Sequence, residues 1–154
     1  MSSEMREPAA TPERHEAPRG EGAVPHGYRA RVLVVDDEPS ICRALEIALA
    51  RAGFDATTVQ SGDAAIDLVR REHFDVLVCD LRIPDMRGDV IYWTLAAVQP
   101  HLQGRTLFVT GDITERAQKL VAQCNCPMLH KPFDLGDILD AVAALAPRMR
   151  NATA

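Results

Sequence analysis

Apolar residues along this chain fall into two alternating patterns, one continuous and one helical. Val32-Leu33-Val34-Val35 is a continuous β-branched run that ends in Asp36 and Asp37. Phe74-Asp75-Val76-Leu77-Val78-Cys79 is a second run, ending in Asp80, and Thr106-Leu107-Phe108-Val109 is a third, ending in Thr110. Runs that are apolar on both faces predict strands of a parallel sheet covered by helices on each side. Weaker strands fit residues 55–59 and 126–130.

Helical spacing fills the intervals. Ile41, Ala44, Leu45, Ala48 and Leu49 share a face, with Pro39 suited to a first turn and Gly53 to the stop. Ser61 suits the N-cap of a second helix carrying Ala65, Ile66, Leu68 and Val69. Val90, Ile91, Thr94, Leu95 and Val98 predict a third, closed by Pro100. Ile113, Ala117, Leu120 and Val121 predict a fourth, and Leu135, Ile138, Leu139, Val142 and Leu145 a fifth. Five strand–helix repeats predict a doubly wound α/β domain.

Residues 1–29 interrupt this regularity. They contain no Ile, Leu or Phe, carry Pro8, Pro12, Pro18 and Pro25, and mix Glu with Arg almost evenly. Such a stretch cannot bury enough apolar area to offset the entropy of ordering, so we expect a disordered leader. One domain over residues 30–147 and a short tail over 148–154 complete the expected organisation, in keeping with a length of 154 residues. The net charge of −5 and the lack of a polybasic block argue against nucleic acid or an anionic membrane as the partner. No apolar run approaches the length of a membrane span, and no signal peptide is evident, so the expected setting is the cytoplasm. Cys42, Cys79, Cys124 and Cys126 suggest no disulfide framework, and the Cys124–Cys126 pair has no second ligand cluster to make a metal site. Met128, His130 and Trp93 are read as packing or surface residues, the five histidines are assigned nothing, and Phe133 is expected to anchor in the core.

The working site of an open parallel sheet lies beyond the carboxyl ends of its strands. The first strand delivers Asp36 and Asp37 there, the third Asp80 and the fourth Thr110, while Lys131 follows the fifth. Carboxylates crowded together raise one another's pKa unless a cation intervenes, and a hard divalent ion with oxygen ligands is the natural remedy. An aspartate can attack a phosphoryl group to give an acyl phosphate. Lys131 and a metal would offset charge on the transferring oxygens, and the Thr110 hydroxyl could hydrogen-bond one of them.

These residues stand in V-L-V-V-D-D-E-P, V-C-D-L-R-I-P-D-M-R-G, L-F-V-T-G-D and H-K-P-F-D. In that order and spacing the chain resembles the receiver domains of two-component response regulators, over about residues 31–145. The resemblance implies a flavodoxin-like (βα)5 fold of sheet order 2-1-3-4-5 and a cis Lys131–Pro132 bond. It implies Asp80 as phospho-acceptor and Asp37 as a direct ligand of Mg2+ or Mn2+. Asp36 would bind the ion directly or through water, and the backbone carbonyl of Arg82 would complete the protein ligands. Thr110 becomes the switch hydroxyl, and Lys131 the partner first of Asp80 and then of the phosphoryl group. Many family members carry Tyr or Phe three residues before the lysine, where this chain has Met128, so an aromatic form of the switch is not expected. Arg82 and Asp112 lie two residues past Asp80 and Thr110, at positions that influence dephosphorylation in the family, and are expected to pair over the phosphoryl group.

The implied function is a phosphorylation-controlled binding module with no separate output domain. It would take phosphoryl groups from a histidine kinase or histidine phosphotransfer protein and signal through the face built by the fourth helix, fifth strand and fifth helix. Dimerisation through that face is known in the family, but nothing in these residues compels it. A phosphorelay intermediate or phosphate sink, or the receiver portion of a hybrid histidine kinase, would use the same residues. An enzyme of another class fits poorly. No G-x-G-x-x-G follows the first strand, and Asp36-Asp37-Glu38 does not supply the D-x-D of an aspartyl phosphatase of the haloacid dehalogenase type. The domain is expected to catalyse only its own phosphorylation and dephosphorylation.

Overall fold

A computed structural model describes residues 27–147 of the chain. The expected leader therefore lies largely outside the described residues, and the tail wholly so. Five parallel strands form the sheet: β1 (Arg31–Val35), β2 (Asp55–Val59), β3 (Val76–Asp80), β6 (Thr106–Thr110) and β7 (Met128–His130), in the order β2-β1-β3-β6-β7. Counting only these strands, the order is 2-1-3-4-5, as expected. A two-stranded hairpin, β4 (Arg82–Ile83) and β5 (Met86–Arg87), stands apart from the sheet.

Period-two alternation along the strands sorts the core into two halves. Leu33, Val35, Leu77, Cys79 and Phe108 face α2 (Gly62–Arg71), α3 (Gly88–Val98) and α4 (Glu115–Cys124). Val32, Val34, Val76, Val78, Leu107 and Val109 face α1 (Pro39–Arg51) and α5 (Leu135–Leu145). Both faces of every central strand are thus buried, which is why those strands read as continuous apolar runs.

Helix ends follow local chemistry. Pro39 occupies the first turn of α1, and Gly53 takes φ +94° just past its end, a region open to glycine without strain. The Ser61 hydroxyl accepts from the Ala64 amide at 3.1 Å and starts α2, while Thr114 does the same for α4 through the Ala117 amide at 3.2 Å.

Three expectations change. The fourth helix begins at Glu115, leaving Ile113 outside it and exposed, because the Thr114 cap sets the start. The buried stripe of α3 is Ile91, Tyr92, Leu95 and Ala96, and Val90 and Val98 face outward. This helix is apolar nearly all round, so only packing could fix its rotation; the Tyr92 hydroxyl, donating to the Gln103 and Cys124 carbonyls at 3.1 and 3.4 Å, helps fix it. Pro100 opens a 3₁₀ turn (Pro100–Gly104) directly after that helix. The fifth strand is also shorter than expected, covering only Met128–His130.

At the end of the sheet opposite the acidic site, just before β3, Asp75 is 3% exposed yet fully partnered. It accepts from the Tyr28 hydroxyl at 2.6 Å and from the Arg31 amide at 2.8 Å, and His73 lies 3.0 Å away. Burial alone would raise its pKa, but the bonds from His73, Tyr28 and the Arg31 amide outweigh burial and lower it. A lowered carboxylate stabilises the fold above its ordinary pKa, and that contribution is lost as pH falls through the lowered value. Asp75→Asn is therefore expected to cost about 1–3 kcal/mol at pH 7. In urea titrations, the gap between variant and wild type should narrow as the pH drops below about 4.

Candidate functional site

The carboxyl ends of β1, β3 and β6 and the segment after β7 meet at one rim. Asp36 and Asp80 are nearly buried, 3% and 6% exposed, and Thr110 is fully buried. The Lys131 ammonium reaches between the carboxylates, 2.7 Å from Asp80 Oδ2 and 2.8 Å from Asp36 Oδ2. The Lys131–Pro132 bond is cis. Phe133 follows it and packs, partly buried, against the α1–α5 half of the core, as its anchoring role requires.

Backbone amides hold the remaining lone pairs. Asp36 Oδ1 accepts from the Glu38 amide and Asp80 Oδ1 from the Arg82 amide, each at 2.9 Å. The Thr110 hydroxyl accepts from the Asp112 amide at 3.0 Å, and the Lys131 amide donates to the Thr110 carbonyl at 2.9 Å. Gly88 closes the rim from below: a Cβ there would lie 2.7 Å from Leu81 Cα and would also strike the Asp80 carbonyl.

Electrostatics follows from burial and pairing. Burial pushes the Asp36 carboxyl up, and the Lys131 bond and Glu38 amide only partly reverse this. For Lys131, burial pulls the ammonium down, but its bonds to Asp36 and Asp80 prevail and hold it above the ordinary lysine range. One cation thus serves several anions.

Glu38 is the residue that sequence reasoning passed over. Its carboxylate stands 3.1 Å from Lys131 Nζ, and Asp36, Glu38 and Asp80 form the acidic group whose oxygens lie within 4.8 Å of one another. Asp37, half-buried beside them, is not part of that group. The sequence signal for Glu38 was its place directly after the acidic pair. All these donors are carboxylate oxygens, the set that suits a hard divalent cation.

Arg82 and Asp112 form an ion pair, Nε to Oδ2 at 2.9 Å, with the Arg82 side chain 72% exposed. Hydrogen bonds from Thr114, then from Arg82, hold the Asp112 carboxyl down at about 2. Met128 is half-buried, opposite Phe108 in the sheet, and packs against the half of the core that includes α4. His130 is exposed, and so is Trp93.

Five converging side chains on a doubly wound sheet define a protein with an acidic rim built around one lysine. The family model for the response regulator receiver domain matches residues 32–143. The chain belongs to the response regulator receiver family. It is 36% identical over 126 residues to the response regulator protein PilR of Pseudomonas aeruginosa, a match covering 80% of this chain and 27% of that protein. The chain thus spans about a quarter of that relative's length. A CheY-like receiver domain protein from Methanospirillum hungatei superposes with TM-score 0.71 at 19% identity, over 76% of this chain and 93% of that one. A Burkholderia pseudomallei response regulator, solved with a phosphorylated aspartic acid, a calcium ion and citrate, superposes with TM-score 0.67 at 25% identity. That match covers 73% of this chain and 66% of the other.

Proposed function

We propose that the chain is a phospho-accepting receiver in which Asp80 takes a phosphoryl group and thereby changes a protein-binding surface. The observation that carries this reading is Lys131, held 2.7 Å from the nearly buried Asp80 carboxylate at the end of β3. The phosphorylated aspartic acid of the Burkholderia relative supports it. An oxygen of Asp80 attacks the phosphorus of a phosphohistidine on a histidine kinase or histidine phosphotransfer protein. The O–P bond forms, the N–P bond breaks, and the imidazole leaves with the electron pair. Lys131 follows the charge onto the phosphoryl oxygens, and the Thr110 hydroxyl turns to donate to one of them.

Asp36, Asp37, Asp80 and the Arg82 carbonyl would hold Mg2+ or Mn2+, with Glu38 close at hand. When bound, that ion supplies charge neutralisation for the transferring oxygens. The signal would leave through α4, β7 and α5, with Met128 filling the gap that opens when Thr110 moves. The proposed setting is the cytoplasm, and the chain's own carboxylate is its only substrate.

Intact mass after incubation with acetyl phosphate and magnesium tests the reading. A single phosphoryl increment that needs the metal and is absent from Asp80→Asn is the expected result. No increment on a folded protein, sampled faster than hydrolysis, would overturn it. The amides of Arg82 and Asp112 bond Asp80 and the Thr110 hydroxyl, which sets their ion pair beside the acidic rim, so Arg82→Ala should shorten the phosphoryl lifetime severalfold, as followed by the decay of that mass increment. An unchanged lifetime would remove the pair from the mechanism.

A further inference from the structure

Beside the acidic rim, between the β4–β5 hairpin and α4, lies a groove of about 590 Å³ whose apolar lining the phosphoryl chemistry does not use. This is within the range of ligand-binding clefts. Its apolar lining comes from Leu81 and Ile83, both buried, and from half-buried Leu120. Around these stand three exposed guanidinium groups, Arg82, Arg87 and Arg116. Asp112 is the one carboxylate in the lining, and Arg82 already holds it. Arg87 rests 3.2 Å from Asp89, while Arg116 makes no ion pair among the described residues. Asp112 and Asp89 each hold one of the three guanidinium groups, and Arg116 is left as an unpaired cation among the described residues at this cleft, on a chain of net charge −5.

We propose that this groove docks a short segment of a partner protein in which carboxylates flank an aliphatic or aromatic anchor residue. Charge complementarity selects the carboxylates, because guanidinium forks pair with planar carboxylates in two-point contacts. The aliphatic lining selects the anchor, whose burial supplies non-directional affinity. A nucleotide fits less well: the lining holds no aromatic ring for a base to stack on, and its three arginines come from two separate elements, the hairpin and α4.

Docking here also touches the acidic rim. Arg82 and Asp112 line the groove while their amides bond Asp80 and Thr110, so an incoming carboxylate that takes Arg82 frees Asp112 beside the rim. Occupation of the groove then alters access of water to the phosphoryl group. This link rests on the phospho-acceptor reading; the docking itself does not.

The test uses the full chain and a fluorescein-labelled hexapeptide with two glutamates on each side of a Leu-Phe centre. Anisotropy titration should give saturable binding, and amide resonance shifts should concentrate in the hairpin and the first turns of α4. The double variant Arg87→Glu with Arg116→Glu changes only exposed side chains, and circular dichroism verifies its fold. It should bind at least tenfold more weakly, as should a peptide with Gly-Gly at its centre, and a lysine-flanked peptide should not bind. The proposal is overturned if the peptide does not saturate at its solubility limit or binds the double variant equally well. It is overturned equally if the shifts map elsewhere, or if ATP occupies the groove and displaces the peptide. Asp80→Asn should still bind the peptide. Binding without phosphorylation of the wild type would sink the phospho-acceptor reading alone, and phosphorylation without binding would sink the docking site alone.

Discussion

Lys131→Met should lower phosphorylation of Asp80 by on the order of a hundredfold, and it should also destabilise the fold at neutral pH. The first effect is the loss of a preorganised positive group where charge develops during transfer, a loss worth about 3 kcal/mol for comparable groups. The second follows from the geometry. Removing the ammonium leaves Asp36 and Asp80, both nearly buried, facing each other with Glu38 nearby and no cation between them. Breaking such an arrangement by removing one partner costs about 2–4 kcal/mol where some solvent still reaches the site.

The pH dependence has a definite sign. The Lys131 pKa is raised in the fold, so its stabilising contribution is complete below the ordinary lysine value and is lost only as strong alkali reaches the raised one. The gap between wild type and Lys131→Met should therefore persist unchanged across neutral pH. On the acid side the variant's carboxylates, freed of their cation, take up protons early, and the gap should shrink. Added magnesium should narrow it as well. Urea unfolding of both proteins between about pH 5 and 9, with and without magnesium, reads all of this. A gap that widens on acidification would contradict the electrostatic account.

Gly88→Ala should cost about 2–4 kcal/mol and depress phosphorylation together with stability, although no functional atom is removed. The added methyl would meet backbone atoms, the Asp80 carbonyl and Leu81 Cα, which cannot rotate away as a side-chain tip could. Relief requires the start of α3 to move off β3, and the Gly88 amide donates to the Leu81 carbonyl at 2.9 Å across that same contact. Because Asp80 sits at the end of β3, the displacement reaches the carboxylate itself. Thermal unfolding and the acetyl phosphate assay on the same sample measure both effects. A variant of wild-type stability would show that the helix start yields easily. By contrast, Gly104→Ala, where a Cβ meets nothing, should leave both readouts unchanged.

Glycine 88 illustrates what could not be read in advance. Its neighbours in the sequence look like an ordinary helix start, and the reason for glycine is a strand end eight residues earlier. The β4–β5 hairpin was hidden for a related reason. Its turn signal, Pro84-Asp85, is present in the sequence, but the hairpin gains its anchorage from Asp85 accepting the Gly62 and Asp63 amides at 2.9 and 3.1 Å. Glu38 looked like the third residue of a polar turn, and only the arrival of Lys131 from 93 residues away makes it part of the site.

Other features were legible because their causes are local or their signal is redundant. The strand runs are continuous because both sheet faces are covered, and the cap at Ser61 acts within its own turn. Asp36, Asp80, Thr110 and Lys131 could be grouped because each ends or follows a strand, and parallel strands bring their carboxyl ends to one rim. The amino-acid sequence alone thus determined the alternating α/β plan and four members of that rim, Asp36, Asp80, Thr110 and Lys131. Tertiary structure decided the rotation of α3, the Tyr28–Asp75 clasp, the sharing of one ammonium among three carboxylates and the arginine-lined groove. Periodicity and capping act over a few residues and leave a local trace, whereas a helix that is apolar all round or a charge met across the sheet takes its role only when distant segments pack.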